Sequence, residues 1–378
     1  MSQIEIRPVS GKAEMKTFIR LPGQIMKNDP NWIEPLHFER SEFFSRKKNP
    51  WFSHGEAEYF LAWRDGRAVG RISAQIDSLS PPVEAGVCGL FGALAAEEDQ
   101  AIVSALLARA EDWLRDKGAN HIRGPYTLNI NHEAGLLIDG FDSPPFLLMP
   151  HDPPWLGPMV EAYGLSKGRD AYAYRLNTDN GLPEKLERFF KNLPDSVTIR
   201  GVDLKRWDEE INAIVNVFNV AWADNWGFVP LTQQEIDSMA KEMKPLIDPG
   251  LCRVAEYEGK VIGFIILLPN VNEAIADFDG KLFPFNVFKL LWRLKRNKIK
   301  TSRVPLMGVL PGLDKKITSM IPLALIYSPR ERYMERGLRE LEFSWILEDN
   351  RPVQRLIEMI DGKIAKTYRI YERPLPPA

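Results

Sequence analysis

The chain has 378 residues, 44% hydrophobic and 26% charged, an ordinary globular composition with enough length to bury two cores of about 190 residues each. A net charge of −2 excludes a global pull towards nucleic acid, so any basic surface has to be local. Cys88 and Cys252 lack ligand spacing, which argues against a disulfide framework or a metal site, and neither a signal pattern nor an apolar run near the ~20 residues of a bilayer span is present, so the expectation is a cytoplasmic protein.

Taken in chain order, the predicted elements come twice. A strand over 4–8 leads through a helix to a hairpin, 59–63 and 68–76, turned at Asp65-Gly66, a strong hairpin signal between alternating apolar runs. An amphipathic helix over 98–117 presents Ile102, Leu106, Ala110 and Leu114 as its buried stripe, and Gly118 ends it. A helix over 154–163 and a strand over 170–176 close the first half. The series then restarts with a strand over 197–202 and a helix whose Ile211, Ile214, Val215, Phe218 and Trp222 share a face. A hairpin follows, 252–257 and 260–268, turned at Glu258-Gly259. Last come a strand over 339–347, a helix over 350–361 with Asn350 as its N-cap, and a strand over 366–371.

Local sequence repeats too. Ile6-Arg7-Pro8-Val9 returns as Ile199-Arg200-Gly201-Val202, and Gly66-Arg-Ala-Val-Gly70 returns as Gly259-Lys-Val-Ile-Gly263, both 193 residues on. Asp29-Pro-Asn-Trp32 is echoed by Asp224-Asn-Trp226. Several matches in one order at nearly one spacing indicate a duplicated domain. The expected organisation is an α/β protein with mixed sheets: an N-terminal domain over 1–176, a linker with a short helix over 177–196, and a C-terminal domain over 197–378.

Strand, helix, hairpin, central helix, strand, helix, strand resembles the GNAT acyltransferase fold. Trp345-Ile-Leu-Glu-Asp-Asn350, Gly362 and Lys366-Thr-Tyr-Arg-Ile-Tyr371 look like its closing strand-helix-strand unit. Arg123-Gly-Pro125, Glu133-Ala-Gly-Leu-Leu-Ile-Asp-Gly-Phe-Asp142, Asp224-Asn-Trp-Gly-Phe-Val-Pro230 and Lys281-Leu-Phe-Pro284 are similar to a bacterial tandem-GNAT family, the group that includes the bacterial ceramide synthases. The resemblance covers most of the chain. It implies two tandem GNAT-like domains, acyl-CoA or acetyl-CoA as the donor, no metal, and an amine acceptor.

It also implies a site. GNAT enzymes hold the CoA pyrophosphate on backbone amides at a helix N-terminus, where the dipole favours anions. The family's loop after the central strand corresponds to Val309-Leu310-Pro311-Gly312-Leu-Asp314-Lys315-Lys316. Strand and proline match, but Asp314 fills the arginine slot, and Lys315 and Ile317 replace glycines. Val309, Leu310, Gly312, Lys315 and Lys316, together with the cap Asn350, are the expected cofactor-binding residues, the lysines acting as point charges. In the first half Gly86-Val-Cys-Gly-Leu-Phe-Gly92 leads into Glu97, Glu98 and Asp99, which repel a pyrophosphate. The slot that often carries a tyrosine acid is Ile357.

The densest polar cluster, Asn129, Asn131, His132 and Glu133 with His151 and Asp152 further on, offers a His and a carboxylate for proton transfer, or a hydrogen-bonded structural loop. Glu133, His132 and Asp224 are the expected catalytic residues. Asn225, Trp226, Phe228 and His151 are expected to bind substrate, a carboxylate beside aromatics suiting an amine with an apolar body.

One segment has no counterpart in the first half. Residues 281–300 carry seven basic side chains and no acidic one. Phe285, Phe288, Leu291 and Trp292 fit one helix face, with Lys289, Arg293, Arg296 and Lys300 to the other side. That pattern suits peripheral contact with a membrane surface, or a helix packed on the second domain. The functional expectation is an N-acyltransferase acting on a primary amine, a long-chain base at the inner membrane surface being the leading acceptor. The alternatives are a lapsed GNAT-like binding module and a soluble small-amine acetyltransferase. No nucleic-acid partner is expected, and the sequence leaves the oligomeric state open.

Overall fold

A computed structural model describes residues 3–83, 86–179, 184–312 and 314–376. Two compact units emerge. The first is built from Met1–Tyr172, Ile275–Phe288 and Lys366–Ala378, the second from Ala173–Ala274 and Lys289–Ala365.

In the first unit the sheet runs Glu5–Pro8, Gly55–Arg64, Arg67–Asp77, Cys88–Ala96, His121–Gly124 and Lys363–Pro374, with Leu136–Asp139 also paired to the last. Neighbours are antiparallel except Cys88–Ala96 and His121–Gly124, which run parallel. The helix Gln100–Asp116 is capped by Asp99, whose carboxylate accepts from the Ala101 N–H. Its stripe is buried as the spacing predicts: Ile102, Leu106, Ala110 and Leu114 pack with Phe60, Ile72, Phe91 and Ile122. Each of the leucine, isoleucine and phenylalanine side chains contributes about 1.5–3 kcal/mol of burial. A second cluster, Phe18, Leu21, Phe44, Trp51, Tyr59 and Leu61, joins the helix Gly11–Ile25 to the strands.

The second unit orders its strands Val197–Gly201, Arg253–Tyr257, Lys260–Pro269, Thr301–Val309 and Glu340–Leu347, the last two parallel. The helices Trp207–Ala221 and Lys315–Tyr327 pack on Lys260–Pro269 and Thr301–Val309.

The duplication is visible in the strand register. Ile6 pairs with Ala62, and Ile199 with Ala255, both members shifted by 193. Both hairpins turn through two residues of positive φ, Asp65 and Gly66 at 51° and 76°, Glu258 and Gly259 at 50° and 77°, as a two-residue hairpin requires. One strand later the repeat stretches. Gly70 pairs with Ala96 and Gly263 with Val309; 309 minus 96 is 213, so 20 extra residues enter the second copy before that point, as the unduplicated basic segment implied.

The closing strand differs from the sequence pattern, which read it as the end of the second copy. Tyr371 pairs with Gly124 and Arg373 with Ile122, so the strand completes the first unit. Its side chains explain the choice. Lys366 Nζ donates to the carbonyls of Gly140 and Ser143, and Arg369 forks onto both carboxylate oxygens of Asp170 (2.8 and 3.0 Å). Both cysteines are buried free thiols, pushed up by burial to about 11 for Cys88 and about 12 for Cys252. Among the described residues no helix is long and apolar enough to cross a membrane, and no group of His, Cys, Asp or Glu is arranged to hold a metal ion.

Candidate active site

In the first unit the polar cluster is organised around Asp77 and Glu133. Asp77 accepts from the Trp51 indole (3.0 Å) and from Asn129 Nδ2 (2.9 Å), and it meets the His54 ring (2.9 Å). Asn129 Oδ1 in turn accepts from the Asn131 N–H and meets His132 Nδ1, both at 3.0 Å. His132 also sets its ring edge-on to Phe43. These bonds fix the shape of the loop that delivers Glu133.

Glu133 pairs with Arg40 and accepts from Thr127 Oγ1 (3.1 Å). Burial alone would raise its pKa, but Arg40, Thr127 and Arg71 together outweigh burial and hold it below the usual carboxylate range. It is thus a fixed negative charge. Its neighbour behaves oppositely. Burial, reinforced by the charge of Glu133, pushes the Asp152 carboxyl up to about 7, although it accepts from the Leu137 N–H (3.0 Å). Asp152 is therefore the carboxyl of this cluster able to exchange a proton near neutral pH. The sequence located the cluster, but only three-dimensional burial divides the roles. His151 is buried with Nε2 3.0 Å from Asp29, and burial lowers its pKa despite that partner, which keeps the ring neutral.

A cleft of about 890 Å³ opens in the same unit, lined among others by Asp29, Trp32, Glu34, His37, Glu98 and Trp155. Glu34 accepts from the Trp32 indole (2.9 Å) and faces His37 Nε2 (2.8 Å). A Cβ on Gly23 would stand 1.7 Å from a Glu34 oxygen, so glycine is what lets the carboxylate rest on the helix. Glu34, His37 and Trp155 were not singled out from sequence; the Asp29–Trp32 echo was the one available signal.

The two helix starts that follow the central strands differ as anion sites. In the first unit Asp99 already occupies the Ala101 amide (2.8 Å) and pairs with Arg64 (2.7 Å), while Glu97 pairs with Arg67. The nearby glycines serve packing: a Cβ on Gly89 would strike Leu114, and one on Gly92 the Tyr126 carbonyl. A pyrophosphate does not fit there. In the second unit Gly312 adopts φ +87° with no atom within 4 Å of where a Cβ would lie, and Lys315 stands exposed as the first residue of its helix. Val309 and Leu310 are half-buried, and the Leu310 N–H donates to the Ile262 carbonyl (2.8 Å). Leu313 and the side chain of Lys316 lie outside the described residues. Asp314, also exposed, stands immediately before Lys315, and its carbonyl accepts from the Thr318 N–H (2.9 Å).

Beside it the parallel strands part. Thr301–Val309 and Glu340–Leu347 pair from Thr301 opposite Glu340 to Val304 opposite Phe343, while Thr301–Val309 continues with Lys260–Pro269 as far as Val309. At the last pairs Arg303 donates to Ser344 Oγ (2.8 Å) and to its carbonyl (2.9 Å). Trp222 lies 6.4 Å from the Trp345 ring and 5.0 Å from Phe218, and Phe228 lies 5.6 Å from Phe218. Phe228 is thereby brought into an aromatic group whose other members, Phe218, Trp222 and Trp345, sequence reasoning did not assign to a site. Asn225 forms the turn, its N–H on the Trp222 carbonyl and its own carbonyl accepting from Phe228; Asp224 is exposed and Trp226 half-buried. Asn350 caps its helix through Val353 (3.5 Å), and Ile357 is wholly buried. Of the expected residues, Glu133, His132 and His151 thus belong to the first unit, and Asp224, Asn225, Trp226, Phe228, the 309–316 loop and Asn350 to the second.

Residues 25–134 match the Acetyltransferase (GNAT) family. The chain is also 45% identical over 377 residues to a bacterial ceramide synthase of Caulobacter vibrioides (strain NA1000 / CB15N), covering 99% of this chain and 98% of that protein. The chain belongs to the GNAT acyltransferase family. Protein YghO of Escherichia coli (strain K12) is 41% identical over 372 residues, covering 98% of this chain and 95% of that one. Among solved structures, a tandem GNAT protein from the clavulanic acid biosynthesis pathway superposes with a TM-score of 0.60 at 13% identity, covering 100% of both chains. A GCN5-related N-acetyltransferase from Sphaerobacter thermophilus gives 0.56 at 15% identity, covering 99% of this chain and 96% of that one. At such identity these two likenesses establish the fold. The family match falls on the first half of the chain.

Proposed function

We propose that this GNAT enzyme transfers an acyl group from a long-chain acyl-CoA to the primary amine of a long-chain base. The observation that carries the reading is the second unit's geometry: parallel strands that part beside a helix start headed by Gly312 and Lys315. The ceramide-synthase relative, alike over nearly the whole chain, supports a lipid amine as acceptor. The backbone amides at the start of the helix Lys315–Tyr327, with the Lys315 ammonium, hold the donor's phosphates, and Asn350 caps the helix Arg351–Met359. Asp224 pairs with the ammonium, while Asn225, Trp226 and Phe228 shape the ground beneath its apolar body. The ammonium gives one proton to solvent and its nitrogen attacks the thioester carbonyl; the C–N bond forms, the C–S bond breaks, and the second N–H proton passes to the leaving sulfur, so that CoA leaves as the thiol. Within the first unit, the Glu133 charge keeps the Asp152 carboxyl high and His132 holds the loop through Asn129.

The test is amide formation followed by mass spectrometry. Palmitoyl-CoA with a long-chain base should give product faster than acetyl-CoA or a short amine does. Asp224→Asn, losing a charged bond of about 2 kcal/mol, should lower kcat/KM roughly 30-fold. Full turnover by both Asp224→Asn and Glu133→Gln would overturn the assignment of the site.

A further inference from the structure

The unduplicated basic segment is not consumed by this chemistry. Its helix, Asn286–Lys295, has no buried residue. Val287, Leu290 and Leu294 lie half-buried on one side, yet the opposite side is apolar as well. Phe285 is 79% exposed, Phe288 69% and Trp292 52%, with Leu291 and Phe283 similarly open. Phe38 joins this patch edge-on to Phe283 at 5.7 Å. A surface helix normally turns charge outward on the side away from its apolar stripe. Here large aromatics take that place, and their contiguity requires a covering. Around them stand Lys281, Lys289, Lys295, Arg296 and Lys298, all exposed, with no acidic residue anywhere in 281–300.

We infer that this segment docks the enzyme on an anionic bilayer, Phe285, Phe288, Leu291 and Trp292 entering the headgroup–acyl boundary while the lysines and Arg296 meet lipid phosphates. Charge complementarity selects this occupant, since the cationic frame that 281–300 sets around an apolar face matches an anionic interface with apolar material beneath it. Neither surface element alone makes the match. The inference rests on the lipid-amine reading only for its purpose, which is to bring the enzyme to where a long-chain base resides.

The experiment is vesicle co-sedimentation of the full-length protein, with phosphatidylcholine vesicles and with vesicles that also contain phosphatidylglycerol. Wild type should bind the anionic vesicles preferentially. At 1 M salt, where the screening length falls to about 3 Å, the preference should largely vanish. The variant F285S/F288S/W292S should bind at least about tenfold more weakly with an unchanged melting temperature, because the three side chains are exposed. K289Q/K295Q/R296Q should lose the preference for anionic lipid. Absence of wild-type binding, or undiminished binding by the aromatic variant, overturns the inference. So does a dimer in sedimentation that the aromatic variant dissociates, which would make a second copy the covering. If wild type binds vesicles but acylates no long-chain amine, the reaction reading fails and docking stands; if F285S/F288S/W292S leaves the vesicles yet acylates a dispersed amine normally, both stand.

Discussion

The two units carry the same strand register and the same hairpin turn, yet they finish their helix starts in opposite ways. In the first, Asp99 caps the helix and Glu97 and Glu98 precede it, so the amides already serve the chain's own carboxylate. In the second, the corresponding stretch passes through Gly312 and a single carboxylate, Asp314, and is headed by the exposed Lys315. Duplication preserves what the fold needs and frees the rest. The equivalent aspartates tell the same story, for Asp29 is tied to His151 and the Asn31 N–H, whereas Asp224 is exposed. Self-satisfied polar groups stabilise; open ones are available to a ligand.

Four substitutions sharpen or break this contrast. The largest effect is expected from Arg40→Leu, which strands Glu133 in the first unit; losing one partner of a largely enclosed ion pair should cost about 3 kcal/mol, read as a lower denaturant midpoint. Lys315→Glu should leave stability alone but abolish donor-induced stabilisation, which for wild type at 100 times its Kd is about 2.7 kcal/mol by thermal shift. Asp99→Ala should cost about 1 kcal/mol as a lost N-cap without weakening CoA binding. The last is a slope, not a step. Asp152 has its pKa raised from 3.8 to about 7 by burial, so between those values the folded chain binds the proton that the unfolded chain releases. Stability from this group is full below the lower value and declines as pH rises through the window. Asp152→Asn should remove that part of the slope in urea melts taken from pH 4 to 8.

Much of this was legible in sequence, and the reasons are local. Asp65-Gly66 and Glu258-Gly259 announce their turns because few other residues accept positive φ, and the helix at Gln100–Asp116 announces its buried stripe through spacing alone. The loop at 309–316 and the unduplicated basic segment were likewise visible as departures from a pattern. Three things were not. The neighbour of the last strand is chosen by distant partners, Asp170 and the Gly140 carbonyl among them, which alternation cannot report. The division of labour between Glu133 and Asp152 depends on which carboxylate receives Arg40. The Glu34–His37 pair and the Trp222–Trp345 group join residues whose meeting is decided by the fold, the latter across more than a hundred positions of chain.

The most direct test of the central claim is calorimetric titration of CoA into wild type and two mirrored charge variants, Lys315→Glu in the second unit and Gln100→Glu at the matching helix start of the first. Wild type and Gln100→Glu should bind alike while Lys315→Glu loses most of its affinity. Undiminished binding by Lys315→Glu, with loss in Gln100→Glu, would contradict it and place the donor in the first unit.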